Sequence, residues 1–133
     1  MKTSLKPGIA AKRAFHIGRD STIGFMGDDA RVYATPMLVR DIEISCRDLL
    51  LQHLDAGEDS VGTRVEIDHL APTLEGANVT IDVKLAELNG RAAVFEISAL
   101  ENNEPIGRGR HVRFIVDVEK TKARLQKKRA AAA

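Results

Sequence analysis

The feature that most constrains the fold is a run of four segments with the alternation of β-strands, joined by short connections. The four segments are residues 62–70, 77–88, 92–101 and 109–119. Apolar and polar residues alternate in them, as in strands with one buried face. Asn89 and Gly90 predict a tight hairpin turn, and "ENNEP" predicts a looser one. Connections this short join antiparallel neighbours, so the sequence predicts an antiparallel sheet.

One long helix is predicted before these strands, in "ATPMLVRDIEISCRDLLLQHLDAGEDS". Thr35 is the predicted N-cap, Pro36 takes the first helical position, and the helix is predicted to stop near Gly57. Its apolar residues form one broad face, which a sheet must cover. Residues 10–17 are a predicted first strand. The sequence therefore predicts an α+β fold, in which one long central helix is wrapped by an antiparallel sheet.

Composition narrows the class of protein. The chain has 133 residues, which we interpret as a single domain with a basic, fraying tail from about residue 120. A formal net charge of +1 gives no reason to expect a nucleic acid or a membrane surface as the main partner. A lone cysteine, Cys46, cannot form an internal disulfide, and the first residues lack the apolar run of a signal peptide. These features predict a cytoplasmic protein without a membrane span.

Two polar residues are out of place in this pattern. His69 falls on the same face of its strand as Val65 and Ile67, and Glu43 projects into the apolar arc of the helix. Either residue alone has a structural explanation, as a hydrogen-bonded core histidine or as a glutamate whose carboxylate reaches water. Together, on facing elements, a carboxylate and an imidazole form the pairing that supplies a general base or a nucleophile. Both interpretations stay open on the residues alone.

A family resemblance adds to this pattern. The segments "YATPMLVRDIE", "VGTRVEIDHLAPTLEG" and "IGRGRHVRFIV" resemble, in order and spacing, the fluoroacetyl-CoA thioesterase family of hotdog-fold proteins, over about residues 7 to 120. The resemblance implies a catalytic constellation of Thr35, Glu43 and His69. It also implies that Gly62 helps to hold the thioester. The resemblance therefore implies an acyl-CoA thioesterase with a hotdog fold.

The resemblance further implies a pocket at a dimer interface, so we expect at least a homodimer that takes an acyl-CoA substrate. The thioester carbonyl would sit near the N-terminus of the helix, where unpaired N–H groups stabilise a developing oxyanion. Glu43 would act as a nucleophile or as a base toward water, with His69 assisting proton transfer. We expect no cofactor, and the four histidines show no spacing typical of metal ligands.

The sequence departs from the family in the loop before Thr35. The family's namesake carries two phenylalanines there, and the corresponding positions hold Met26 and Asp29, with Phe25 the nearby aromatic. A thioether and a carboxylate would make a looser and wetter cover over the acyl group. We therefore expect a general acyl-CoA thioesterase that does not favour fluoroacetyl-CoA over acetyl-CoA.

Other titratable residues are assigned lesser roles. Cys46 lies in the apolar arc and is interpreted as an inert core residue, and His16 and His53 as structural or exposed. His111 and Arg113 form a pair that the family often has, but the alternation favours a solvated strand face for them.

Three classes of function remain. The first is an acyl-CoA thioesterase, and the second is a non-catalytic module that binds or senses acyl-CoA. The third is a hotdog hydratase or dehydratase, whose aspartate and histidine on one loop-helix segment are not found in this sequence. Thr35, Glu43 and His69 together favour the first class.

Overall fold

A five-stranded antiparallel sheet packs along one long helix in the computed structural model, which describes residues 1–132. The sheet strands are β1 (Ala10–His16), β4 (Glu58–His69), β5 (Asn78–Asn89), β6 (Ala92–Glu101) and β7 (Glu104–Asp117). Two short strands, β2 (Thr22–Ile23) and β3 (Val32–Tyr33), form a separate pair, and the helices are α1 (Thr35–Leu51) and α2 (Val118–Ala132). The predicted α+β class and the antiparallel sheet are confirmed.

The strands lie in the order β1-β5-β6-β7-β4, so β4 and β1 form the two edges of the sheet. β4 pairs with β7 over its whole length, from Glu58 opposite Asp117 to His69 opposite Gly107, with a bulge between Gly62 and Arg64. α1 packs against the face of the sheet formed by β1, β4, β5 and β7. The edge strand β4 therefore runs beside α1 and carries His69 at its end.

The hairpin turns are both tight. Asn89 pairs with Ala92, and Gly90 in the turn between them has φ of 62°. The "ENNEP" turn was predicted to be looser, and that prediction is wrong. Asn102 and Asn103 form a two-residue connection with φ of 50° and 64°. Asparagine tolerates this left-handed region better than most residues, and a pair of such residues matches the twist of a β-hairpin.

The core lies between α1 and the inner face of the sheet. α1 contributes its apolar stripe, and the strands contribute alternate residues, because successive side chains of a strand point to opposite faces. The largest fully buried side chains are Tyr33, Phe95, Ile17, Leu38, Ile42, Leu50, Ile81, Leu85, Ile115, His111, Val79 and Val83.

The ends of α1 differ from the prediction. Ala34, not Thr35, is the N-cap, so Thr35 is the first helical residue and Pro36 the second. The helix ends at Leu51 instead of near Gly57, because the N–H groups of Gln52 and His53 bond to carbonyls only three residues earlier and close the last turn. Gly57, with φ of 83°, belongs to the turn before β4.

The segment from residue 18 to residue 34 contains two short 3₁₀ turns and the β2–β3 pair. The Ala34 N–H donates to the Ser21 carbonyl at 2.9 Å. This bond holds the loop against the start of α1.

The basic tail is helical, which corrects the prediction that α1 is the only long helix. The Asp117 carboxylate accepts a hydrogen bond from the Lys120 N–H at 2.9 Å and so caps α2. An N-cap aspartate before a run of good helix formers was the available sequence signal. No residue of α2 is buried. Neither helix within residues 1–132 has the length and apolar composition of a membrane span.

The close approach of β7 to β4 predicts that Gly109→Ala destabilises the protein. A Cβ at Gly109 would overlap the backbone carbonyl of Glu66, so one strand must shift. We expect a loss of about 2–3 kcal/mol in the free energy of unfolding, measured by urea denaturation. Gly18→Ala is the control, because a Cβ there meets no atom within 4 Å. Equal stability of the two variants would contradict the close approach.

Candidate active site

Thr35 and His69 meet where the start of α1 faces the end of β4. The Thr35 Oγ1 lies 2.8 Å from the His69 Nδ1. Because Ala34 is the N-cap and no side chain caps the helix, the threonine hydroxyl is free to face the imidazole. The structure therefore brings together two of the three residues that the resemblance implied to be catalytic.

The His69 ring is held on two sides. Its plane is nearly perpendicular to that of Tyr33, at 82°, with the ring centroids 6.2 Å apart. The Nε2 atom is buried and has no hydrogen-bond partner among residues 1–132. Burial lowers the pKa of His69, because desolvation disfavours the imidazolium. A neutral ring with a free nitrogen is the form that can accept a proton near pH 7.

A cleft of about 600 Å³ opens beside this pair. Its lining residues are Ile23, Phe25, Val32, Tyr33, Ala34, Thr35, Pro36, His69, Leu70, Ala71 and Pro72. The lining is mostly apolar around a few polar groups, as is typical of a small-molecule site. The loop before α1 contributes Phe25 to the cleft. Met26 and Asp29, the expected cover, are not among the residues that line the cleft.

Glu43 lies in a second cluster, farther along α1. Its Oε1 lies 3.5 Å from the Arg113 guanidinium. Arg113 is buried, and it also donates to the Ser60 hydroxyl at 2.7 Å and to the Ser60 carbonyl at 2.8 Å. The Glu43 side chain keeps 43% of its surface exposed. The carboxylate thus faces solvent while a fixed cation stands behind it.

Gly62 makes room for this carboxylate. A Cβ at Gly62 would overlap the Glu43 Oε1 and lie 3.2 Å from the His111 ring. A side chain at this position would therefore require the Glu43 carboxylate to move. The structure therefore places Gly62 beside Glu43.

His111 and Arg113 lie on the opposite side of the sheet from the solvated face predicted for them. Both are buried, on the side of β7 that faces α1. The His111 Nδ1 lies 2.8 Å from the Arg64 carbonyl, and its Nε2 lies 3.2 Å from the Arg113 guanidinium. Burial lowers the pKa of both groups. The missed signal was that His111 and Arg113 share the alternation of Ile115, which is fully buried.

The two clusters are separate within one chain. Thr35 and Glu43 are eight residues apart on α1, which is about 12 Å along the helix axis. No hydrogen bond or ion pair joins Glu43 to His69 within the part of the chain that the structure describes. One chain therefore presents two separate clusters, Thr35 with His69 and Glu43 with Gly62.

A buried pair of side chains next to Thr35 and His69 was not predicted. The Tyr33 hydroxyl donates to the Asp41 carboxylate at 2.5 Å, and both side chains are almost fully buried. Arg40 reaches the other carboxylate oxygen at 3.2 Å. Since the Tyr33 ring packs against His69, this pair fixes one wall around the imidazole.

The remaining candidates agree with their assigned roles. Cys46 is buried, and desolvation raises the pKa of its thiol, so it stays protonated. His16 and His53 lie at the surface, where they contact Asn78 and Ser4. Within residues 1–132, no group of three or more His, Cys, Asp or Glu side chains is arranged to hold a metal ion.

Comparison with known proteins identifies similar chains. Residues 17–119 match the family model described as fluoroacetyl-CoA-specific thioesterase. A fluoroacetyl-CoA thioesterase from Streptantibioticus cattleyicolor is 33% identical over 100 residues, which cover 75% of this chain and 72% of that protein.

Solved structures give the same result. A mutant of the fluoroacetyl-CoA-specific thioesterase superimposes with a TM-score of 0.86 at 27% identity, covering 96% of this chain and 99% of the other. A Thermus thermophilus member of the thioesterase superfamily gives 0.86 at 28% identity, covering 98% and 99%. A further mutant of the fluoroacetyl-CoA enzyme, in complex with acetyl-CoA, gives 0.85 at 26% identity, covering 93% and 98%. The fold of this chain is the hotdog fold.

The buried pair predicts that Tyr33→Phe lowers stability by about 1–3 kcal/mol, because Asp41 loses a buried donor. Urea denaturation measures the change. In an Asp41→Leu background the same substitution should cost much less, since no carboxylate is left without its partner. An equal cost in both backgrounds would show that the two side chains are not coupled.

Proposed function

Because this chain belongs to the fluoroacetyl-CoA-specific thioesterase family and is an acyl-CoA thioesterase, we propose that Thr35, Glu43 and His69 carry out its hydrolysis of an acyl-CoA to free acid and CoA. The observation that carries this assignment is the Thr35–His69 contact of 2.8 Å at the wall of an apolar cleft. The unpartnered Nε2 of His69 adds to it.

The start of α1 supplies the electrostatic part of the proposed mechanism. The thioester carbonyl lies near Thr35, where the first N–H groups of the helix have no intrahelical partner and stabilise the developing oxyanion. Gly62 leaves the space in which the thioester approaches Glu43. In the route where Glu43 is the base, neutral His69 takes over the proton that Glu43 has removed from water and gives it to the departing CoA sulfur. In the route where Glu43 is the nucleophile, His69 takes a proton from the water that hydrolyses the anhydride and passes it to the CoA thiolate.

Glu43 has two chemical routes. As a base, its carboxylate takes a proton from water, the hydroxide oxygen bonds to the carbonyl carbon, and the carbon–sulfur bond breaks. As a nucleophile, its carboxylate oxygen bonds to the carbonyl carbon, CoA leaves as the thiolate, and water then hydrolyses the mixed anhydride. In both routes the Glu43 Oε1 lies 3.5 Å from the Arg113 guanidinium, which holds the carboxylate in position.

The proposed active form is a homodimer that pairs through β4. This strand is a 12-residue edge without lysine or proline, and it exposes Val61 and Val65. The unpaired backbone N–H and C=O groups of a long edge strand are a template for pairing with another strand. In this dimer, β4 of one chain pairs antiparallel with β4 of a second copy about a twofold axis. The end of β4 that carries His69 then lies near Gly62 in β4 of the other copy. Each proposed site then joins a Thr35–His69 half from one chain to a Glu43–Gly62 half from the other.

The proposed substrate class is acyl-CoA in general. Relatives are named for fluoroacetyl-CoA, and one was solved with acetyl-CoA. Phe25 borders the cleft with 87% of its surface exposed, and we keep the expectation that the protein does not favour fluoroacetyl-CoA over acetyl-CoA. We further propose that residues 1–133 form one thioesterase domain that works in the cytoplasm without cofactor or metal. Nucleic acid and membrane are not among the proposed partners.

Glu43→Gln should lower kcat for acyl-CoA hydrolysis by about 10²–10⁴ while the fold is kept, because the amide keeps the shape of the side chain but cannot act as base or nucleophile. Release of free thiol from a panel of acyl-CoA compounds measures the effect. Glu87→Gln, at an exposed glutamate on β5, is the matched control. Normal turnover by Glu43→Gln would remove Glu43 from the mechanism. Tight acyl-CoA binding by the unmodified protein without turnover would favour the alternative, a binding or sensing module.

The two-chain site predicts complementation between inactive variants. Glu43→Gln and His69→Ala homodimers should each be inactive. After subunit exchange, a mixed dimer regains one intact site, with Glu43 from one chain and His69 from the other. We expect up to about half of the normal activity per mixed dimer, while light scattering reports the dimer. A mixture that remains inactive after exchange, or a protein that is monomeric and active, would contradict the two-chain arrangement.

A further inference from the structure

A second hollow, outside the catalytic cleft, combines three cationic side chains with an exposed aromatic ring. It has a volume of about 200 Å³ and lies where β7 passes into α2, beside the turn between β5 and β6. Its lining residues are Arg91, Phe114, Ile115, Val116, Asp117, Lys120 and Arg124. The proposed mechanism uses none of these residues.

The cations in this hollow are available to a ligand. Lys120 and Arg124 are exposed, and neither forms an ion pair within the part of the chain that the structure describes. Arg91 is 46% exposed, and it forms an ion pair with Glu58 at 3.5 Å. Asp117, the one carboxylate in the lining, accepts the bond that caps α2. The hollow therefore keeps an excess of positive charge.

The positive charge of the hollow continues along α2. The helix carries six lysine and arginine residues and one glutamate, although the whole chain has a net charge of only +1. Lys127 follows Lys120 by seven residues and Arg124 by three, so the three share one side of the helix. Leu125 is the single large apolar residue within the helix after Val118, so α2 lacks the apolar face of a helix that inserts into a lipid surface. The charge of α2 is therefore better suited to the phosphate groups of a dissolved ligand than to a lipid surface.

Phe114 indicates which kind of phosphate ligand suits the hollow. Its ring is 43% exposed, and it lines the same hollow as the three cations. A flat apolar ring beside guanidinium and ammonium groups suits a ligand that has a planar base next to phosphates. The CoA molecule has such an end, an adenosine with a 3′-phosphate and a pyrophosphate.

We propose that this hollow binds the phosphorylated adenosine end of the CoA substrate, with Arg91, Lys120 and Arg124 on the phosphates and Phe114 against the adenine. The inference rests on the proposed thioesterase function and on the proposed pairing through β4. The hollow lies at the end of the sheet where β4 begins, since the Val118 N–H donates to the Gly57 carbonyl at 2.9 Å. Antiparallel pairing puts this end of β4 beside the partner's catalytic cleft. The thioester then lies in one chain's cleft while its nucleotide lies on the other chain.

The test compares two double charge reversals on α2 in the full-length protein. Lys120→Glu with Arg124→Glu alters the hollow. Lys122→Glu with Arg129→Glu makes the same change in charge on the opposite side of the helix. Each variant is assayed with an acyl-CoA and with the matching acyl-pantetheine, which lacks the nucleotide. Calorimetry measures binding of adenosine 3′,5′-bisphosphate to the same proteins.

We expect the first pair to raise KM for acyl-CoA roughly tenfold and to weaken binding of the bisphosphate to a similar degree. Hydrolysis of acyl-pantetheine should be unchanged, and the second pair should behave like the unmodified protein. Equal effects of both pairs, or no effect of the first, would overturn the nucleotide site. If no thioester is hydrolysed by the unmodified protein, the proposed function fails, and the calorimetry still decides whether the hollow binds the nucleotide.

Discussion

The placement of the Glu43 carboxylate depends on one buried guanidinium. Arg113 lies between the sheet and α1 with 5% of its surface exposed, and Ser60 accepts two of its hydrogen bonds. An isolated buried charge is costly, so its remaining N–H groups need partners. The Glu43 carboxylate and the His111 ring are those partners, at 3.5 and 3.2 Å. Gly62 follows from this arrangement, because a side chain there would require the carboxylate to move.

The two proposed halves of the active site differ in physical character. The Thr35–His69 half borders an apolar cleft, where burial keeps the imidazole neutral. The Glu43–Gly62 half is partly open to solvent and carries a carboxylate beside a cation. A proton acceptor and an anionic nucleophile or base need these different surroundings. A dimer through the β4 edge would join them, and the basic hollow at the start of that strand would lie near the joined site.

The sequence predicted the regular parts of the fold well and its irregular parts less well. The strand alternation and the Asn89-Gly90 turn gave the antiparallel sheet, because both signals are local. The end of α1 was wrong by several residues, since closing bonds from Gln52 and His53 leave no strong mark in the sequence. His111 and Arg113 were placed on a solvated face, because charged residues usually are exposed. Their burial depends on partners from two other elements, Ser60 on β4 and Glu43 on α1.

The sequence by itself determined the fold class, the family and the identity of the candidate residues Thr35, Glu43, His69 and Gly62. Periodicity and motif spacing are properties of the chain and need no coordinates. Only the tertiary structure decided which of these residues meet. It paired Thr35 with His69 and Glu43 with Gly62 and Arg113, and it kept the two groups about two turns of α1 apart. The reason is geometric. Because β4 runs alongside α1, each residue of β4 can contact only the part of the helix beside it.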